Sequence, residues 1–287
     1  MVRPFANLFK NHSVYFCSLI RWPSREYYGG KLVCGKFESH QFPVVKGFAW
    51  PNNSALAFID ISGKERQDNI GSYSNLSEAI EVARIAENIV AAGSVCAEDI
   101  GVITPYTFQR AVIQKEMSKK CRDVEVAIVD AFQGREKKVI ILSLTRSNDF
   151  GSLGFVDDDR RLNVSLTRAQ YGLIVLGDGK TLQSGFVSGL RSFLLHCHEM
   201  RVVISVTSEG NKMISEEDAE TTTEKLRQRP PVHRVKRVRT PKILQTGASW
   251  IPIAATDETP SWSATIAEAI LQVDKLFSSK DLIVIVF

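Results

Sequence analysis

Between Val129 and Arg146 the chain reads Val-Asp-Ala-Phe-Gln-Gly-Arg-Glu-Lys-Lys-Val-Ile-Ile-Leu-Ser-Leu-Thr-Arg. Gln133, Arg135 and Glu136 put an amide, a cation and a carboxylate within four residues, and Gly134 lets backbone approach a ligand. The flanking apolar runs read as strands, which places this polar turn at the edge where parallel sheets bind ligands. Taken alone, the same residues also read as a solvated inter-strand turn. The second segment of interest is Asp159-Arg-Arg-Leu-Asn-Val-Ser-Leu-Thr-Arg-Ala169. As a helix it gathers Leu162, Ser165 and Ala169 on one face and projects Arg161 and Arg168, seven apart, from a common side. Guanidinium forks suit bidentate phosphate recognition. Surface ion pairs with Asp157, Asp158 and Asp159 are the competing reading.

Other clusters carry less. His196-Cys-His198 could suggest a metal, but neighbouring residues on a helix point to different faces and no further ligand cluster accompanies them, so no metal site is expected. The five cysteines, Cys17, Cys34, Cys96, Cys121 and Cys197, include no Cys-x-x-Cys pair. Their odd number and wide spacing argue against a disulfide framework and against structural zinc, and fit a reducing cytoplasmic or nuclear setting. The net charge of +4 conceals a segregation, because residues 225–242 hold eight Lys and Arg and no acid. Outside that segment 28 of the 36 basic residues face all 32 acidic ones, a balance of −4. Within it, Pro230 to Pro241 alternates basic and apolar residues, as a nuclear import signal, a nucleic-acid-binding arm or a solvated charge run would.

These groups need a frame. The 287 residues are 44% hydrophobic and 24% charged, which excludes collagen-like, low-complexity and wholly disordered chains. No stretch approaches the roughly 18 apolar residues of a membrane span, and the run Val14 to Ile20 is closed by Arg21, too early for a signal peptide. Residues 1–54 show little periodicity and read as an irregular lead-in. Ala55 to Ile61 reads as a strand, and Asn75-Leu-Ser-Glu78 as a capping box opening a helix to Gly93, with Ala79, Ile80, Ala83, Ala86, Ile89 and Val90 on its apolar face. Strands are predicted at 100–104, 124–129, 138–145, 172–177 and 201–206, with helices after Pro105, over 160–169 and around 187–199. Apolar strands alternating with helices indicate an α/β fold with a mainly parallel sheet covered on both faces. Residues 55–207 form that domain in this reading. Residues 208–287 read as a mostly disordered tail, with a last helix at 263–277 and an apolar terminus at 282–287.

The two polar segments, in this order and separation, closely resemble motifs V and VI of superfamily 1 helicases of the nonsense-mediated-decay helicase and senataxin group. Ile100-Gly-Val-Ile-Thr-Pro-Tyr-Thr-Phe-Gln109 resembles that family's motif IV. Trp22-Pro-Ser-Arg-Glu-Tyr-Tyr-Gly-Gly-Lys-Leu32 resembles the segment that opens its second RecA-like domain, and residues 75–93 its first helix there. The resemblance covers roughly residues 20–205.

It implies a RecA-like fold and a place in a motor that hydrolyses ATP with Mg²⁺ between two RecA-like domains while moving along single-stranded RNA or DNA. Arg168 is implied as the catalytic arginine that reaches the γ-phosphate, Glu136 as the acceptor for a ribose hydroxyl, and Gln133, Gly134 and Arg161 as further nucleotide-side residues. Thr104, Tyr106, Gln109 and Arg135 are implied near the nucleic acid. The sequence departs from the family in several places. It contains no Gly-x-x-x-x-Gly-Lys-[Ser/Thr] loop and no Asp-Glu pair after a strand. Ser13-Val-Tyr-Phe-Cys-Ser-Leu19 stands where the family has Gln-x-Arg-Met-His-Pro, and Ile128 where it commonly has Ser or Thr. The expectation is therefore half a motor, active only when a first RecA-like domain completes the site. The alternative is a non-catalytic module of helicase origin that binds nucleic acid or protein.

Overall fold

The computed structural model describes residues 13–34, 45–184, 188–207, 210–228 and 283–285. In chain order its first elements are α1 (Ser13–Tyr27), β1 (Leu32–Cys34), β2 (Leu56–Asp60), β3 (Glu65–Gln67), β4 (Tyr73–Asn75), α2 (Leu76–Ala91), β5 (Ile100–Thr104) and α3 (Thr107–Glu116). There follow β6 (Glu125–Ile128), β7 (Lys137–Ser143), α4 (Asp159–Leu166), β8 (Ala169–Gly177), α5 (Gly179–Ser184), α6 (Ser188–Glu199), β9 (Val203–Thr207), β10 (Gly210–Met213) and α7 (Glu216–Gln228). The main sheet runs β10-β9-β2-β8-β7-β5-β6. Its six strands from β9 to β6 are parallel, and β10 adds an antiparallel edge. This is a RecA-like α/β fold.

The period-2 alternation of side chains in a strand explains why the central strands are apolar throughout. On β7, Ile140 and Leu142 face one core with Trp22, Phe58, Leu162 and Phe193, while Val139 and Ile141 face the other with Val82, Ile85, Ile89 and Ile113. On β8, Leu173 and Val175 join the first core, Ile174 and Leu176 the second. Each strand is thereby buried on both sides, and α1, α4 and α6 cover one face while α2 and α3 cover the other.

Four differences from the sequence reading have physical reasons. The lead-in contains a 15-residue helix, α1, that continues through Pro23. Proline inside a helix reads as a stop, but here the adjacent Trp22 is only 1% exposed and holds the turn in place. Its ring packs edge-on against Tyr27 and Phe193 at 5.4 and 5.3 Å, and its Nε1 donates to Ser192 Oγ at 3.1 Å. On α2 the buried stripe is Ala79, Val82, Ala83, Ile85, Ala86 and Ile89, while Ile80 is 51% exposed. Position 80 lies two residues, about 200° of helical turn, from Val82 and so faces outward. The polar stretch between β2 and α2 holds the short antiparallel pair β3–β4. Finally, residues assigned to the tail supply β10 and α7, whose Ala219 and Leu226 are buried. The remainder of the basic segment and the predicted helix at 263–277 lie outside the described residues, and of the apolar terminus only a short strand, Ile283–Ile285, is described.

α6 buries two histidines, His196 and His198, at 2% and 5% exposure, and leaves His196 Nε2 and His198 Nδ1 without a hydrogen-bond partner. Burial, aided by Arg25 and Arg21, pushes His196 down to about 4 from its usual 6.5, and burial lowers His198. The folded state thus binds fewer protons than the unfolded chain between those two values, so stability falls as pH drops from 6.5 towards 4. Urea unfolding at pH 7.5 and pH 5 is expected to show about 2 kcal/mol of such loss from His196. His196→Leu is expected to remove that part of the acid slope, and an unchanged slope would refute the assignment. Among the described residues no group of three or more His, Cys, Asp and Glu could hold a metal ion.

Candidate functional site

β6 and β7 both run parallel to β5, so the chain leaving β6 must return along the length of the sheet before β7 can start. Val129 to Glu136 makes that return without a helix of full length, using a single 3-10 turn at Val129–Phe132. Phe132, fully buried, pins the turn, and a Cβ on Gly101 of β5 would lie 2.8 Å from its ring. The loop ends at the amino-terminal edge of β7. The polar residues Gln133 to Glu136 therefore lie at the edge opposite to the one the sequence suggested. Gly134 has φ +73° with open space around it, so glycine serves the left-handed turn there.

Lys137 N donates to Arg168 O at 3.1 Å, and the strand register pairs Lys137 with Ala169. The starts of β7 and β8 thereby bring Glu136 and Arg168 to one edge. Glu136 is exposed, with Oε2 accepting from Gln170 Nε2 at 3.1 Å. Arg168 is half-buried just before β8; its Nε donates to Val164 O and its Nη2 to Thr167 Oγ1, both at 3.0 Å. Both acceptors are neutral, and no carboxylate of the described residues pairs with this guanidinium. It is oriented by its own helix end, with no ion pair among the described residues.

The other two arginines differ. Arg161 is engaged twice by Asp130, at 3.1 and 2.9 Å, and lies over the Phe155 ring. Its carboxylate partner comes from the β6–β7 loop rather than from Asp157 to Asp159, and Asp158 caps α4 through Arg160 N and Arg161 N. Arg135 pairs with Glu125 and stacks over Phe132.

At the carboxyl-terminal edge, roughly 20 Å away along β7, the motif IV residues lie inside the protein. Thr104 and Gln109 are fully buried and Tyr106 is 2% exposed. Gln109 accepts from Asn75 N at 2.7 Å and donates to Asn75 O and Ser143 Oγ, and Tyr106 OH donates to Leu153 O. Thr104 Oγ1 lies 3.1 Å from Thr145 Oγ1. With their polar atoms engaged in such contacts, these buried side chains shape the edge from within.

The same edge contains groups the sequence reading passed over. Asn75 caps α2 as predicted, through Ser77 N and Glu78 N, but Glu78 does not return the bond to Asn75 N. Gln109 takes that place. The Glu78 carboxylate, fully buried, receives Ser143 Oγ at 2.6 Å and Thr145 N at 2.9 Å, where Thr145 has φ +73°. Burial raises Glu78 to about 8 against the pull of those two bonds. Nearby, Arg146 is 2% exposed, forks onto Glu65 at 2.9 and 3.1 Å and lies 4.0 Å from the Tyr73 ring centre. Burial alone would raise Glu65, yet hydrogen bonds from Arg146, Ser147 and Asn148 hold it below the usual carboxylate range. Glu65 and Arg146 are 81 residues apart and carry no local signal of pairing.

A family model described as an AAA domain matches residues 16–180. The chain belongs to that family, and its matched region is of superfamily 1 helicase type. It is similar to Regulator of nonsense transcripts 1 of Dictyostelium discoideum, 42% identical over 174 residues, covering 58% of this chain and 13% of that protein. It is also similar to ATP-dependent helicase upf1 of Schizosaccharomyces pombe, 37% identical over 198 residues, 66% of this chain and 21% of the relative. ATP-dependent helicase NAM7 of Saccharomyces cerevisiae is 42% identical over 174 residues, 57% of this chain and 18% of the relative. The chain thus spans a small part of the length of the curated relatives it matches. No helix among the described residues is long and apolar enough to cross a membrane.

Proposed function

We propose that this domain is the second RecA-like half of an ATP-dependent motor acting on single-stranded RNA or DNA, with its ATP site completed by a first RecA-like domain. The observation that carries this is Arg168, an oriented guanidinium that no carboxylate of the described residues pairs with, on the same edge as the exposed carboxylate of Glu136. A cation held by neutral acceptors retains its charge for an anionic substrate, whereas Arg161 and Arg135 have carboxylates of their own.

ATP with Mg²⁺ is the substrate in this reading, and the edge fits it in charge and in access, since Gly134 leaves open space beside Glu136. Arg168 neutralises charge that spreads over the transferring phosphoryl group, and Glu136 accepts a hydrogen bond from the ribose. Gln133 and Gly134 connect that edge to the nucleic acid. Thr104, Tyr106 and Gln109 act indirectly, by fixing the carboxyl-terminal edge that the strand crosses. Arg161, bound to Asp130, holds the β6–β7 loop against α4.

The test is single-turnover ATP hydrolysis with a single-stranded oligonucleotide, for the chain alone and mixed with a first RecA-like domain of a related helicase. Hydrolysis in the mixture and none with either component alone is the expected result. Intact oligonucleotide binding with no hydrolysis in the mixture would overturn the motor reading in favour of a binding module.

A further inference from the structure

Beyond the motif residues, one surface combines unpaired charge with a cavity. After α3 the chain passes through a 3-10 turn, Lys119–Cys121, before entering β6, the outermost strand of the sheet. Cys121 is buried at 1% exposure and draws the turn onto the protein, with Cys121 N donating to Ser118 O and Val124 N to Cys121 O. Residues three apart eclipse one another in a 3-10 turn, so Lys119 and Arg122 come to one side. Both line a hollow of about 390 Å³ whose other walls include Gln114, Met117, Val124 and Val126.

Several cations of the core are matched by acids, such as Arg84 with Glu81, Lys138 with Asp99 and Arg146 with Glu65. By contrast, Lys115, Lys119, Lys120 and Arg122 are exposed within eight residues and no carboxylate of the described residues pairs with any of them. The stretch is locally basic in a chain whose charge outside residues 225–242 is negative. The hollow offers cations at its rim, an amide in Gln114 and apolar walls, and it lies two strands, about 10 Å, beyond β7.

The geometry points to a nucleotide-sized site on the outer edge of the sheet, where Lys119 and Arg122 bind backbone phosphate of a single-stranded nucleic acid and Met117, Val124 and Val126 face its base. A point charge and a guanidinium fork three residues apart suit one phosphate group, and the apolar side chains beside them can cover a base by hydrophobic contact that carries no sequence preference. The identity of the ligand as nucleic acid rests on the proposed function, whereas the anion site itself rests on the residues just named. This contact lies at the amino-terminal end of β6, apart from the carboxyl-terminal edge, and adds affinity without sequence specificity.

The experiment is fluorescence anisotropy of a short labelled single-stranded RNA, and of DNA of the same sequence, with the full-length chain across a salt series. Lys119→Gln combined with Arg122→Gln is expected to weaken binding about ten-fold at low salt. It is also expected to reduce the slope of log K against log salt by about 0.7, the value for the one phosphate that both side chains hold. Lys119→Arg with Arg122→Lys keeps the charge and is expected to keep the slope. Unchanged affinity and slope in the neutralised variant would overturn the site. So would displacement of the oligonucleotide by polyglutamate at equal concentrations of charge, which would mark a general anion surface. Failure here with hydrolysis intact in the mixture strikes only this site, while lost hydrolysis with a normal salt slope strikes only the motor reading.

Discussion

Arg168→Ala is expected to lower single-turnover ATP hydrolysis by the domain mixed with a first RecA-like partner by about a thousand-fold, within the range of a lost arginine finger. Single-strand binding is expected to change less than about two-fold, because the Arg168 edge and the carboxyl-terminal edge are at opposite ends of β7. The fold should tolerate the change, since the side chain is half-buried and bonds only to Val164 O and Thr167 Oγ1 of its own segment. Arg168→Lys separates charge from shape. Lysine keeps the cation but loses the fork and both orienting bonds, so a recovery of only part of the rate is expected. Hydrolysis at the wild-type rate in the alanine variant would remove Arg168 from the chemistry.

Glu78 is expected to dominate the alkaline side of the stability profile. Its carboxyl is raised to about 8 in the folded protein, from 4.5 in the unfolded chain, because it is buried. The folded state then binds more protons than the unfolded state between those values, so stability decreases as pH rises from 4.5 to 8. Between pH 5 and pH 8 this amounts to about 3 kcal/mol. Glu78→Gln keeps an acceptor for Ser143 Oγ and Thr145 N without a titrating group. Its denaturation midpoint is therefore expected to lack that decline and to keep only the opposite rise with pH that His196 contributes. The same decline in both proteins would show that Glu78 does not hold its proton. Glu78→Ala additionally leaves Thr145 N without its acceptor, where φ is +73° and the β-branched side chain disfavours that backbone. Loss of that anchor is expected to loosen the segment that follows β7, readable as faster amide exchange at Thr145.

The elements legible in the sequence were those whose signal is local. The strands at 100–104 and 138–145 are near-continuous apolar runs, and Asn75 is a helix cap by its type and position, so β5, β7 and α2 were recognisable from a few residues each. α1 was hidden by Pro23, because its stability comes from Trp22 against Phe193, on a helix 170 residues later. β10 and α7 were hidden by a polar composition that only becomes half-apolar once Ala219 and Leu226 have a sheet and a helix to pack on.

For the site the division is similar. Arg168 and Glu136 stand out as candidates because their motifs are contiguous, and residue type together with order along the chain carries that information. That they share an edge was decided by the parallel pairing of β7 with β8, which joins residues some thirty positions apart through Lys137 and Arg168. Which arginine is left with charge to spare was decided by Asp130 and Glu125, and which polar residues are buried was decided by the packing of α2 and α3 over the sheet. Glu78 read as half of a capping box and proved to be a buried carboxylate, because local spacing fixes which groups are near one another along a helix. Burial, and with it the charge a group can hold, depends on what the rest of the chain brings over it.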